Sequence, residues 1–302
     1  MAKEVMTHSR RVRERKRKAF ISGLLSPALI CMGIIMLYPL LHALYLSLFR
    51  YRLTRPNDTR FDPLYNITKL LNDEILWTSI LNTIVFTFFT VLIGLLIGMV
   101  FALLIDQLPT KASGVRGVIM MPWVIPGVVT GYLFMYMFDY DIGIINRLLT
   151  LMGVIDSNKA WLVDVKLAMP AVITAHVWTQ VPFYMLMITA GLKSIPQDMK
   201  EAAYAEGASR RQEFWHITLP QLNGILVITS LLQIIRNFNN FPIIYTMTNG
   251  GPVYATLTSV LYIYRLAFER FDMGYASAVG IFWVLILLLL SIVYVKKLKS
   301  DF

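Results

Sequence analysis

Gln233, Arg236, Asn237 and Asn240 stand within a run that is otherwise mostly apolar. Their i, i+3, i+4, i+7 spacing puts all four on one face of a helix. His176, Thr179, Gln180 and Phe183 repeat that spacing in an earlier apolar run. Amides, a hydroxyl, an imidazole and an aromatic ring suit a hydroxyl-rich ligand. The guanidinium of Arg236 adds a fork that can hold a phosphate, sulfonate or carboxylate through two parallel hydrogen bonds. Polar side chains at membrane depth face either a cavity or a neighbouring helix. Thr179 taken alone fits an interhelical bond, whereas two full stripes favour a ligand cavity. An ion pair is the plain alternative for Arg236, but no acid in either run supplies one. No second His or carboxylate stands at ligand spacing from His176; His8, His42 and His216 are scattered elsewhere, so no metal site is expected.

The elements that carry these stripes are membrane spans. Of 302 residues, 57% are hydrophobic and 15% charged, and the mean hydropathy is +0.60; a soluble domain carries about 25% charged residues. Six apolar runs reach the roughly 20 residues a bilayer requires: 19–49, 77–105, 117–138, 167–192, 221–247 and 275–295. The stripes lie in the fourth and fifth. Pro27 and Pro39 predict a kinked or tilted first span. Trp77, Trp161 and Tyr275 fall near span ends, where amphipathic rings favour the membrane interface. Gly94 with Gly98, and Gly127 with Gly131, are small-residue pairs at one-turn spacing. They fit close helix contact and the general abundance of glycine in membrane helices equally well. The single cysteine, Cys31, excludes an internal disulfide and a Cys-based metal site.

The net charge of +10 resolves into +6 on residues 1–18, +2 on residues 296–302 and +2 over the remainder. A nucleic-acid binder would spread basic residues over a face, so no nucleic-acid partner is expected. With the amino terminus inside, 17 Lys and Arg fall on cytoplasmic segments and 10 on the opposite ones. The positive-inside rule then puts both termini in the cytoplasm. The chain thus reads as an all-α membrane protein: a basic tail (1–18), a six-helix transmembrane domain (19–295) and a short cytoplasmic tail (296–302).

Residues 193–220 form a polar cytoplasmic insertion, KSIPQDMKEAAYAEGASRRQEFWHITLP. Pro196 can start a helix, and residues 198–206 are rich in strong helix formers. Gly207 reads as a left-handed stop. Ser209 and Gln212 have capping-box spacing for a second helix running to about Thr218, with Pro220 opening the next span. Two short surface helices with small Ala and Gly faces permit close approach of another protein, although a solvated loop without a partner fits the same residues.

Glu201-Ala202-Ala203, Gly207-Ala208 and Ile217 with Leu219-Pro220 resemble the EAA motif of ABC-importer permease subunits. Met121-Pro122-Trp123-Val124-Ile125-Pro126 resembles that family's third-span motif. Thr248-Asn249-Gly250-Gly251-Pro252, then Leu261-Tyr262 with Tyr264 and Ala267-Phe268, then Gly274-Tyr275-Ala276, resemble its carbohydrate branch. The likeness runs from about Pro39 to the last span. It implies a type I importer permease fold in which loop 193–220 is the coupling helix region seated in a cleft of the ATP-hydrolysing subunit. Glu201, Ala202, Ala203, Gly207, Leu219 and Pro220 are then the coupling residues. It also implies a heterodimer with a second, related permease, a pair of ATP-binding cassette subunits that bind ATP and Mg, and a periplasmic or extracellular solute-binding protein. The setting would be the cytoplasmic or inner membrane of a bacterium or archaeon, among membrane lipid. No cofactor is expected in this chain itself.

Asn237-Phe238-Asn239-Asn240-Phe241 resembles the fifth span of maltose-type permeases, whose first and last asparagines touch the sugar. The segment around Trp178 and Pro182 resembles their other sugar-contacting span. The resemblance thus implies a carbohydrate for the pocket of His176, Thr179, Gln180, Phe183, Gln233, Arg236, Asn237 and Asn240. Three positions depart from the pattern. Glu206 replaces the usual Asp, Gly224 replaces a frequent second Pro, and Arg236 replaces an aromatic ring. The last points to an anionic or anion-substituted carbohydrate.

Other function classes lack their residues. There is no G-x-x-x-x-G-K-[ST] loop, nucleophile elbow or H-E-x-x-H pair, so the chain is expected not to be an enzyme. A stand-alone secondary transporter of a polar solute remains the alternative, but it would want intramembrane acids or an inverted repeat. An intramembrane enzyme built on His176 lacks a nucleophile or metal partner. The outer segments 50–76 and 248–274 are candidates for contact with a binding protein.

Overall fold

The computed structural model describes residue 17, residues 20–107 and residues 113–300. Most of the basic amino-terminal tail lies outside the described residues. In chain order the helices and strands are α1 (Phe20–Ser47), β1 (Phe49–Arg50), β2 (Arg60–Phe61), α2 (Pro63–Leu71), α3 (Glu74–Asp106), α4 (Ser113–Val124), α5 (Gly127–Met137), α6 (Ile144–Leu151), α7 (Ala168–Ser194), α8 (Gln197–Ala205), α9 (Arg210–Phe238), α10 (Pro242–Thr248), α11 (Ser259–Tyr264) and α12 (Met273–Ser300). Five helices, α1, α3, α7, α9 and α12, are long and apolar enough to cross a bilayer. The pair α4 and α5 makes a sixth if it counts as one span.

Two compact units result. The first holds the chain up to Leu71 and residues Leu266–Phe282. Within it, Gly33–Leu37 of α1 is wound as a π-helix two residues ahead of Pro39. Proline lacks an N–H and its ring crowds the carbonyl four residues back, and a widened turn absorbs both. Beyond α1, β1 and β2 pair antiparallel, Phe49 opposite Phe61 and Arg50 opposite Arg60. Asn66 ties α2 to this turn by donating to Ser47 O (2.8 Å) and Phe49 O (2.9 Å). Gly274 N–H donates to Tyr51 O at 2.9 Å, and an added Cβ there would stand 2.2 Å from Phe49 O, so only glycine fits. Tyr275 is fully buried, with Lys69 Nζ 3.9 Å from its ring centroid. It is a core residue of this unit rather than an interfacial ring.

The second unit holds Asn72–Arg265 and the chain from Trp283 on. Asp73 caps α3 by accepting from Ile75 N and Leu76 N. The buried face of α3 joins Leu76, Phe86 and Ile105 to a run of small and hydroxyl residues, Ser79, Thr83, Thr87, Thr90, Gly94, Gly98 and Ala102. Three of these hydroxyls satisfy themselves on backbone carbonyls, Ser79 on Leu76, Thr83 on Ser79 and Thr90 on Phe86. It packs against α7, where Tyr184, Met185, Ile188 and Leu192 continue the core with Ala102, Ile105 and Leu222. Both glycine pairs serve close contact. Cβ atoms at Gly94 and Gly98 would strike Tyr184, and one at Gly131 would stand 2.6 Å from Thr246 Cβ of α10.

Two expected spans are interrupted. The run 117–138 is not one helix: α4 and α5 meet at 95° across Ile125 and Pro126. Pro126 is extended (ψ 140°) at the cap of α5, and a proline biases the residue before it away from helix. The run 221–247 breaks at Asn239–Phe241, and Pro242 restarts the chain as α10. A helix boundary also disappears. Pro220 does not open a new element, because α9 runs unbroken from Arg210 through the π-turn Phe214–Thr218 into the span.

Candidate functional site

α7 and α9 lie side by side in the second unit and bring the two polar stripes together. His176 Nε2 lies 2.8 Å from Asn237 Oδ1. Gln233 Nε2 donates to Gln180 Oε1 at 2.5 Å. The Thr179 hydroxyl donates back to His176 O at 2.7 Å. All five side chains are buried, Gln233 completely. The stripes therefore form a hydrogen-bonded seam between helices, which is the interhelical alternative, realised for these five members.

The other three members behave differently. The break after Phe238 takes Asn240 off the α9 helix and turns it back, so that its Nδ2 lies 3.3 Å from His176 Nδ1. Arg236 and Asn239 are exposed, and Asn240 and Phe183 half-buried. The Arg236 guanidinium stands 5.8 Å from the Phe183 ring centroid, and Trp123 of α4 packs on the same ring, centroid to centroid at 6.0 Å. No carboxylate among the described residues is within ion-pair distance of Arg236. A cleft of about 380 Å³ opens here between His176, Gln180, Arg236, Asn237 and Asn240. Gln233 Oε1, Asn237 Nδ2 and Asn240 Oδ1 have no protein partner, so hydrogen-bonding capacity remains at the edge of the seam. Asn239, Ile235 and Pro242 line the same cleft and were not picked out by spacing. Asn239 belongs to no helical face, and the signal that finds it is Pro242 two residues after Asn240. Trp123 was visible only as part of the third-span motif.

The seam and the cleft respond differently to substitution. Gln233→Leu strands the Gln180 amide, and such interhelical bonds are worth about 0.6 kcal/mol and at most roughly 1.7. The double variant Gln180→Leu/Gln233→Leu removes both partners and should recover most of that stability, read as thermal unfolding in detergent. If the double variant is no more stable than the single one, the pair is not a seam.

The insertion between α7 and α9 folds as expected into α8 and the start of α9. Gly207 is left-handed at φ 86°. Ser209 and Gln212 form a complete capping box. Glu201 accepts from Gln197 Nε2 at 2.7 Å, one turn away, and is exposed. Ala202, Gly207 and Pro220 are exposed, Ala203 and Leu219 half-buried. A shallow cleft runs along Ala203, Glu206, Gly207, Gln212, Glu213 and His216. The sequence-predicted coupling residues therefore lie on the surface, Glu201 to Gly207 on one short helix and its cap, Leu219 and Pro220 on the neck of α9. Among the described residues no three His, Cys, Asp or Glu side chains converge on a metal-sized site.

The sequence profile described as "Binding-protein-dependent transport system inner membrane component" matches residues 94–296. The sulfoquinovosyl glycerol transport system permease protein of Agrobacterium fabrum is 31% identical over 277 residues, covering 92% of this chain and 89% of the relative. The trehalose/maltose transport system permease protein of Thermococcus litoralis is 33% identical over 273 residues, covering 89% and 90%. The lactose transport system permease protein of Rhizobium radiobacter is 31% identical over 278 residues, covering 90% and 92%. Among solved structures, a bacterial ABC transporter involved in the import of the acidic polysaccharide alginate matches with a TM-score of 0.81 at 21% identity, over 96% of this chain and 99% of the other. At that identity the likeness concerns the fold.

Proposed function

The chain belongs to the family of binding-protein-dependent transport system inner membrane components, as a permease subunit of the sugar-type ABC importers that its relatives represent, and from that premise we propose that it forms half of the pathway for an anionic or anion-substituted carbohydrate. The observation that carries the proposal is the exposed Arg236 guanidinium, over the Phe183 ring and without a carboxylate partner among the described residues. The ring offers stacking to a sugar face and the guanidinium a bidentate hold on an oxyanion. The buried seam beneath sets the rotamers of the residues that touch the ligand. In this reading Phe183, Arg236 and Asn240 make contact, while Gln180, Gln233, His176, Thr179 and Asn237 hold them in place. One relative, named for sulfoquinovosyl glycerol, supports the charge. Relatives named for trehalose, maltose and lactose support the carbohydrate class.

Energy comes from outside the chain. A pair of ATPase subunits holding ATP and Mg closes on the α8 segment from the cytoplasm. The rigid α8 and the unbroken α9 pass that motion to the seam, shifting the balance between inward- and outward-open states. A second permease supplies the other half of the pathway, and a solute-binding protein delivers substrate from the outer side. Both termini face the cytoplasm.

In Arg236→Met, uptake of a sulfated or carboxylated sugar should fall by about tenfold or more while uptake of its neutral parent is spared, as expected for loss of a charge-assisted bidentate contact. Equal loss for both substrates would remove the charge-specific role of Arg236.

A further inference from the structure

The first unit carries a second concentration of guanidinium groups, far in sequence from the α7–α9 seam. Arg50 lies on β1, Arg60 opposite it on β2, and Arg52 and Arg55 on the turn between. Together with Asp58 and Asp272 they line an open cleft of about 270 Å³. Two of the four are committed. Arg50 pairs with Asp62 at 2.6 Å and stands over Tyr65, its Cζ 3.8 Å from the ring centroid. Arg60 pairs with Asp58 at 3.2 Å, both highly exposed. The other two are not. Arg52 approaches Asp272 Oδ2 only to 3.7 Å, and that oxygen already accepts from Lys69 Nζ at 2.8 Å. Arg55 has no ion pair among the described residues.

Five cations, Arg50, Arg52, Arg55, Arg60 and Lys69, thus face three carboxylates, Asp58, Asp62 and Asp272. The arrangement is built rather than a loose charge run. Asn66 fixes the ends of α1 and β1, Leu53 N–H donates to Phe271 O at 2.9 Å, and the Gly274 contact closes the base. A turn that keeps like charges together leaves a net positive field that a bound anion relieves. The cleft also opens within a few residues of the end of α1, a helix long and apolar enough to cross a bilayer.

We propose that this cleft binds one oxyanion group, a phosphate, sulfonate or carboxylate, held by Arg52 and Arg55 with Arg50 and Arg60 as its walls. The group could arrive on an anionic lipid or on a soluble solute, and the site does not depend on whether the transported substrate is charged. The experiment uses the full chain in nanodiscs. In one arm, phosphatidylcholine discs doped with phosphatidylglycerol are examined by native mass spectrometry for retained anionic lipid. In the other, pure phosphatidylcholine discs are dialysed against radiolabelled sulfate. Arg52→Gln/Arg55→Gln should lower binding by about tenfold in at least one arm, as for loss of charge-assisted contacts. Arg147→Gln, an exposed arginine on α6, should change neither. Loss in the lipid arm alone identifies a headgroup, and loss in the sulfate arm alone a soluble anion. Arg55→Gln, which breaks no ion pair, gives the same reading in part if the double variant is poorly folded. Unchanged binding in both arms overturns the site.

Discussion

Gly207→Trp is expected to abolish uptake while the protein still inserts in the membrane. Gly207 has φ 86°, and nothing lies within 4 Å of a Cβ built on it. A side chain there meets no neighbour in this chain, and its bulk is carried into the space beyond α8. If an ATPase cleft occupies that space, an indole blocks it. The backbone has its own cost, since a non-glycine residue in the left-handed region loses about 1–2 kcal/mol. Gly207→Ala measures that cost alone and should leave substantial uptake. The two variants separate strain from occlusion. Transport near the parent level in Gly207→Trp, with ATPase subunits still co-purifying, would remove the docking role from the loop. Loss in Gly207→Ala equal to that in Gly207→Trp would assign the effect to the turn geometry instead.

Gly98→Leu is expected to prevent the second unit from folding. A Cβ at Gly98 would stand 2.4 Å from Tyr184 Cβ and 3.1 Å from Met185 N. The blocking atoms are a Cβ and main chain, with no flexible end to move aside, so α3 and α7 would have to separate. Their shared surface holds the core of this unit, and α7 also carries one side of the polar seam. Overpacking in a tight core costs about 1–3 kcal/mol for small additions, the range expected for Gly98→Ala. Gly94 is more forgiving, because the atoms it would meet belong to the Tyr184 ring. Gly280→Leu, with nothing within 4 Å of its Cβ, is the control. Yield of monodisperse protein and its unfolding temperature check the series. A Gly98→Leu protein that unfolds where the parent does would show that the two helices do not cross so closely.

Much of the 193–220 insertion was legible in the sequence. A proline start, a run of strong helix formers, a glycine stop and a capping box are local signals that need no tertiary partner, and all four appear where their residue types put them. The end of the second helix was not legible. Pro220 reads as a boundary, yet a π-turn ahead of it carries the helix through, because a widened turn removes the clash that makes proline a breaker. The same device at Pro39 keeps α1 continuous. At Pro126 and Pro242 the chain breaks instead, and no local signal distinguishes the two outcomes.

By itself the sequence determined the apolar runs and the helical face of each polar residue as far as Asn237, since length and a 3.6-residue period are properties of one segment. Only the tertiary structure decided which polar groups meet. Gln180 and Gln233, and His176 and Asn237, close on each other because α7 and α9 pack in one particular register. Arg236 stays exposed outside the seam, and Asn240 joins the cleft only because the helix stops at Phe238. Period places a residue on a face. What stands opposite that face depends on crossing geometry and on where prolines end the helix, and those are settled by packing.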